Sequence, residues 1–179
     1  WYAVNEEGRV YVYREMHETM LRDELQAQKI VELTGEEKVE YTVGGHDFWA
    51  KQGATGVSIA ETYAHNGVIL TPADTDRIAG WNRVRNYLAD APDGKPWLQI
   101  FSTCTNLIRT LPAMIHDQHH PEDLDSDGED HLCDSLRMFL MSRPAPAARP
   151  KKEYESRTQE LIAQEVERLS QPKREEKWY

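Results

Sequence analysis

The 179 residues predict an α/β domain built on a mixed β-sheet with helices on both faces. Short runs rich in valine, isoleucine and aromatic residues alternate with longer stretches of helical period, the order that yields parallel strands joined by helical crossovers. Near the start a short polar turn joins two such runs directly, and a direct connection makes an antiparallel pair. After Arg143 the composition changes abruptly, which ends the domain.

The opening WYAVNEEGRVYVYRE reads as a hairpin around Asn5-Glu6-Glu7-Gly8, with Val10, Val12 and neighbouring aromatics as strand formers. Over residues 17–33, Met20, Leu21, Leu25, Ile30 and Leu33 recur at helical spacing, and the helix stops at Thr34-Gly35. A strand over residues 38–43 follows, halted by Gly44-Gly45, with His46 and Asp47 directly after it. Ser58 opens a short helix through Ile59, Ala60, Tyr63 and Ala64 that ends at Asn66-Gly67. Residues 68–70 form a strand and residues 74–88 a helix carrying Ile78, Trp81, Val84, Arg85 and Leu88. The loop DAPDGKP leads to a strand over residues 97–101, and Thr103 is placed to cap the next helix, whose pattern Pro112 disturbs. An acidic, histidine-bearing loop over residues 117–127 delivers the last helix, in which Leu132, Cys133, Leu136, Phe139 and Leu140 mark the apolar face. PAPAARP over residues 144–150 is a linker. Residues 151–179 form a charged tail in which Tyr154, Leu161, Ile162, Val166 and Leu169 make a narrow stripe, either a solvated helix or a docking helix for a partner.

A formal net charge of −10 excludes a protein that coats nucleic acid through general positive potential, but not a nuclease, because clustered carboxylates that hold cations add negative charge. Cys104 and Cys133 are too few and too far apart for a disulfide framework or zinc knuckle, so both read as small buried side chains in a reducing compartment. No apolar run approaches a membrane span, and no signal peptide is recognisable. A start at Trp1, inside a predicted strand, reads as a fragment of a longer chain.

The chemistry concentrates in GEDHLCDSLR, residues 128–137. Ser126 with Glu129 makes a capping box, and Asp127, Glu129 and Asp130 then fall in a first turn where the helix dipole favours negative charge. Asp134 is read as lying beyond that turn, one helical turn after Asp130 and three residues after His131. Two carboxylates and an imidazole along one helix rim can hold a hard divalent cation; the alternative is a solvated acidic face in which Asp134 pairs with Arg137. Asp47 sits where ligands gather in open α/β sheets, at the carboxyl end of a strand, or is an ordinary loop aspartate. Should the last helix cross that sheet end, Asp47 and Asp134 would face a common metal pair. His131 is a ligand, a proton donor or a surface histidine. His116, His119 and His120 lack a zinc pattern and are loop residues. Glu15 either orients the site or caps the next helix, the structural role being preferred. No GxxxxGK loop exists, which excludes an ATP motor within these residues, and Cys104 has no catalytic partner in sequence.

The runs STCTNLIRTLPAMIHDQHHPEDLDSDGEDHLCDSLRMFLMSRP and SIAETYAHNGVILTPADTDRIAGWNRVRNYL, with the opening hairpin, resemble the C-terminal nuclease domain of tailed-bacteriophage terminase large subunits from Trp1 to about Pro144. The resemblance implies a ribonuclease H-like fold over residues 1–143 and cleavage of concatemeric double-stranded DNA with two Mg²⁺ or Mn²⁺ ions. It also implies a host bacterial cytoplasm, with terminase small subunit and portal protein as partners. On that basis Asp47 is the second-strand acid and Asp134 the final helical acid, with Asp130 and His131 as supporting ligand and proton carrier. Asp47 stands in VGGHDFW, where related chains more often show an acid followed by proline. The family's first acid lies on a strand before the position matching Trp1, so these residues are expected to keep the fold and to cut weakly or not at all. Lys51, Arg77, Arg83, Arg85, Lys95 and Arg109 are candidate phosphate contacts, with solubilising charge as the alternative for each. A junction resolvase of the same fold and a non-catalytic packaging-assembly module are the competing readings.

Overall fold

Asn5 organises the first turn: its backbone carbonyl accepts from Gly8 N at 2.9 Å, its side-chain Oδ1 accepts from Arg9 N at 2.8 Å, and Gly8 takes a positive φ of 87°. That left-handed step suits glycine, and it folds β1 (Tyr2–Val4) back antiparallel onto β2 (Val10–Val12). The computed structural model describes residues 1–51, 53, 56–125 and 128–146. The described residues lie in one compact unit, Trp1–Pro146, with α1 (Asp23–Thr34), β3 (Thr42–Gly44), α2 (Ile59–His65), β4 (Leu70–Pro72), α3 (Arg77–Leu88), β5 (Leu98–Ile100), α4 (Thr105–Thr110) and α5 (His131–Met141) following the hairpin.

The single mixed sheet expected from sequence is divided in two. β2 pairs parallel with β5, giving a mixed sheet in the order β1-β2-β5, while β3 and β4 pair parallel with each other. Between them runs a cleft of about 760 Å³ lined by Tyr2 and Val4 on one side and Thr42 and Val43 on the other. Strand pairing alternates direction along the backbone, so with Asn5 and Tyr13 N–H groups bonded across the hairpin, the peptide groups of Tyr2 and Val4 point away from β2, toward the outer edge.

The larger core joins Val10, Val12 and Leu98 to Trp81, Val84 and Tyr87 of α3, Leu107 of α4, and Cys133, Leu136 and Leu140 of α5. A smaller core joins Ala27 of α1, Tyr63 of α2 and Val68, with Phe48 and Leu70 against it. Val43 packs toward the first, whereas a Cβ on Gly44 would meet Leu70 and Phe48 of the second. Successive strand residues face opposite sides, so helices cover both faces of the β3–β4 pair.

Several expected boundaries move, each for a local reason. The first helix starts at Asp23, not at residue 17, because Met20 has φ 60°, which a right-handed helix cannot contain. Strand β3 starts at Thr42, where pairing with Leu70 begins, and the preceding Lys38 and Glu40 form an exposed ion pair at 2.8 Å. Val68 closes the turn that follows α2, its N–H bonded to Tyr63 O at 2.9 Å after Gly67 at φ 90°, and β4 begins only at Leu70. Asp74 accepts from Asp76 N at 3.0 Å, and this turn delays α3 to Arg77. Thr103 does not cap α4; its hydroxyl donates to Tyr13 O at 3.3 Å. Glu15 takes that role, its carboxylate accepting from Asn106 N at 2.8 Å and Leu107 N at 2.9 Å, in line with the preferred structural reading but on a different helix. The capping box at Ser58 and Glu61 is formed as its spacing predicts a helix start there. Ser126 of the second capping box, most of the linker and the tail over residues 151–179 lie outside the described residues.

Candidate functional site

The segments that leave β3 and β4 both meet helix α5, at Met138 and Arg137. After Gly44 the chain passes Gly45, where an added Cβ would stand 3.6 Å from Met138 Cε of α5, ordinary van der Waals contact, so this turn packs directly against the helix. Ala73 N bonds back to Gly44 O at 2.9 Å, tying the exit of β4 to that of β3. Asp76 then caps α3 through Ala79 N at 2.9 Å.

Helix α5 begins at His131, which corrects the expected start: Asp134 lies in the first turn, and Glu129 lies outside the helix, paired with Arg109 at 2.6 Å. The helix dipole therefore favours the charge of Asp134 directly. Its carboxylate is held by two arginines. Arg137 Nε donates to Oδ1 at 3.0 Å, and Arg77 Nη1 approaches Oδ2 at 3.7 Å. Arg137 is only 2% exposed and also donates from Nη1 to Thr75 O at 3.0 Å and Asp76 O at 3.1 Å, so the buried cation is satisfied on both sides. Arg77 is anchored in turn by Asp123, at 2.9 Å from Nε, and by Leu124 O. Asp123 further accepts from Trp81 Nε1 at 3.1 Å and from Leu124 N at 2.7 Å.

Asp47 is exposed in a 3₁₀ turn, His46–Trp49, directly past β3. Its neighbour His46 meets Thr75 through Nδ1 and Oγ1 at 2.7 Å, so a run of contacts leads from His46 through Thr75 and Arg137 to Asp134. Asp130 is 9% exposed at the N-terminal cap position of α5, where its backbone carbonyl accepts from Asp134 N at 2.7 Å. His131 stands beside it, Nδ1 to Oδ1 3.5 Å, with its own side chain 86% exposed. Among the described residues, no three His, Cys, Asp or Glu side chains are gathered as a metal-binding group.

The cations selected from sequence are dispersed. Lys51 and Lys95 are exposed, Arg85 donates to Asn82 Oδ1 at 3.0 Å, and Arg83 donates to the carbonyl of Arg143. Arg77 and Arg109 are bound to acids as above. Cys104 and Cys133 are buried, as expected, and burial pushes both thiols up. What the residue reading missed is the bracing: Asp123, Thr75 and the double role of Arg137. The Asp-x-x-Arg spacing of residues 134–137 was the visible signal for the last, since side chains three apart share a helix face.

A family model described as the terminase RNaseH-like domain matches residues 1–143. The chain belongs to this terminase family. No curated protein and no solved structure matches it. The terminase ribonuclease H-like assignment agrees with the α/β architecture and with a nuclease-type role, and no helix among the described residues is long and apolar enough to cross a membrane.

In this terminase domain, Asp123 gives a pH signature. Burial acts to raise its carboxyl, and the bonds from Arg77, Leu124 N–H and Trp81 outweigh it, holding the group below the usual carboxylate range. A carboxyl depressed in the folded state contributes stability that is complete above the unfolded value, about 3.9, and is lost as pH falls through the folded value. Asp123→Asn is therefore expected to unfold at lower urea than the parent near pH 7, with the gap shrinking as pH falls below about 4. A gap that stays constant across that range contradicts the assignment.

Proposed function

We propose that this domain is the metal-dependent endonuclease of a phage DNA-packaging terminase large subunit, hydrolysing phosphodiesters of concatemeric double-stranded DNA. The observation that supports the reading is the contact run from His46 through Thr75 and Arg137 to Asp134, which links the residue beside Asp47 to the first turn of α5. Asp47, Asp134 and Asp130 would hold two Mg²⁺ or Mn²⁺ ions, and their hard carboxylate oxygens suit those cations. The fit turns on Asp134: its Oδ2 is held only by the ion pair with Arg77 Nη1 at 3.7 Å, beyond hydrogen-bond length, so a cation there would have to displace Arg77. When bound, such ions supply an activated water and stabilise the leaving oxygen.

The protein's own groups do the remaining work. Arg137 orients Asp134, and His131, its side chain reaching solvent beside Asp130, delivers a proton to the leaving oxygen. Lys51 and Lys95 meet phosphates without reading bases, while Arg77, Arg83, Arg85 and Arg109 exchange their present partners for phosphate when duplex arrives. The family resemblance puts a further acid on an earlier strand, and such a strand would pair with the outer edge of β1 in the cleft between β1 and β3. A domain deprived of that acid is expected to cut weakly or not at all. The terminase small subunit and the portal protein are the partners this role requires, in the cytoplasm of the bacterial host.

The test compares linear duplex with four-way junctions in Mn²⁺, using a chain extended upstream to include that strand. Cleavage of the duplex is expected; selective cleavage of the junction returns the domain to the resolvase reading. Robust plasmid cutting by the 179 residues alone contradicts the strand requirement.

A further inference from the structure

A buried arginine is costly to keep. Removing a guanidinium from water costs several kcal/mol unless its donors are matched, and apolar replacements of similar volume are often as stable. Arg137 is among the largest fully buried side chains of the described residues, and its surroundings are shaped around it. Its stem crosses α3 at Gly80, where an added Cβ would lie 2.5 Å from Arg137 Cγ and 2.7 Å from Cδ, distances that any methyl group forbids. Its guanidinium lies over the Trp81 ring, 5.5 Å from the centroid. From that slot one nitrogen holds Asp134 Oδ1 and another holds the carbonyls of Thr75 and Asp76, so one side chain ties α5 to the turn that opens α3.

We propose that Arg137, seated on Gly80, is the positioning residue of the site: it fixes the rotamer of Asp134 and pins the Thr75–Asp76 turn to α5, leaving Oδ2 held only by the longer ion pair to Arg77. This rests on Asp134 being the helical acid of the nuclease. The division of labour follows from the geometry. Oδ1 is occupied at hydrogen-bond length by a buried donor that cannot leave without disrupting Gly80 and Trp81, whereas Oδ2 faces Arg77, a partly exposed side chain at 3.7 Å. The same anchor reaches the other half of the site, because the Thr75 hydroxyl it steadies contacts His46, the residue before Asp47.

The experiment titrates Mn²⁺ into the 179-residue chain by electron paramagnetic resonance, with folding followed by amide NMR and thermal unfolding. Four variants are compared: Arg137→Met, Arg137→Lys, Gly80→Ala and Asp134→Asn. Groups that orient a metal-binding side chain typically change metal affinity by about 10–100-fold, and Arg137→Met and Gly80→Ala are expected to weaken Mn²⁺ binding within that range while the chain stays folded. Arg137→Lys, which keeps the charge and one donor, recovers part of the affinity. Gly80→Ala is informative because it removes no polar group, so a purely local packing role for Gly80 would leave Mn²⁺ affinity unchanged. Equal or tighter binding by folded Arg137→Met and Gly80→Ala overturns the proposal when Asp134→Asn still loses binding. Unchanged binding by Asp134→Asn overturns the nuclease reading itself. Should both Arg137→Met and Gly80→Ala unfold, Arg137→Lys decides: parental affinity in that variant overturns the proposal, and a partial loss supports it.

Discussion

Asp134→Asn in the chain that carries the upstream strand is expected to lower duplex cleavage by at least about 100-fold, since residues that merely orient a metal ligand already cost 10–100-fold. Asparagine keeps the shape and one acceptor for Arg137, so the fold survives. The neutral acceptor replaces a charge-assisted one beside a buried guanidinium, at a cost to stability on the order of 1–3 kcal/mol. Gel-based cleavage rates with a thermal melt on the same sample separate the two effects. A folded variant that loses less than about tenfold leaves Asp134 outside the chemistry, and cleavage wholly indifferent to it leaves the non-catalytic assembly module standing.

The largest stability effect is expected from Trp81→Ala. Trp81 is 2% exposed in the main core, donates to Asp123 at 3.1 Å and underlies the Arg137 guanidinium. Truncating a buried tryptophan costs about 3–5 kcal/mol, equivalent to a fall in melting temperature of roughly 6–20 °C at this size. Trp81→Phe keeps most of the ring and loses the N–H, and about 1 kcal/mol is the expected cost. Calorimetry on the two variants distinguishes packing from the hydrogen bond; equal losses contradict the division.

How far the sequence carried the argument differs between fold and site. Alternation of apolar runs with helical stretches specified the five strands and five α-helices of the described residues in the right order, because burying one face of an element imposes a period that is written in the residues themselves. Boundaries were less visible because distant contacts decide them. Glu15 caps a helix more than ninety residues away, and Val68 is drawn into the turn that follows α2 by Tyr63 O rather than into β4. The split of the sheet was invisible for the same reason, since period alone does not say which strand edges meet. In the site, Asp47 and Asp134 stood out as candidates because one follows a strand end and the other lies along a helix rim. For the arginines, composition shows charge without its partner, and the pairing of Arg77 with Asp123 and of Arg109 with Glu129 could not be read from it.

The central claim is that Asp47 and Asp134, far apart in sequence, serve one cation site at the carboxyl end of β3. Mn²⁺ broadens amide signals steeply with distance, so a paramagnetic titration of the labelled 179-residue chain reads the location of the ion directly. The account predicts selective broadening at His46–Phe48 and at Asp130–Arg137 together, before any other segment. Broadening confined to the acidic loop around Asp117 and Asp123, or spread over the surface without a centre at these two segments, contradicts it.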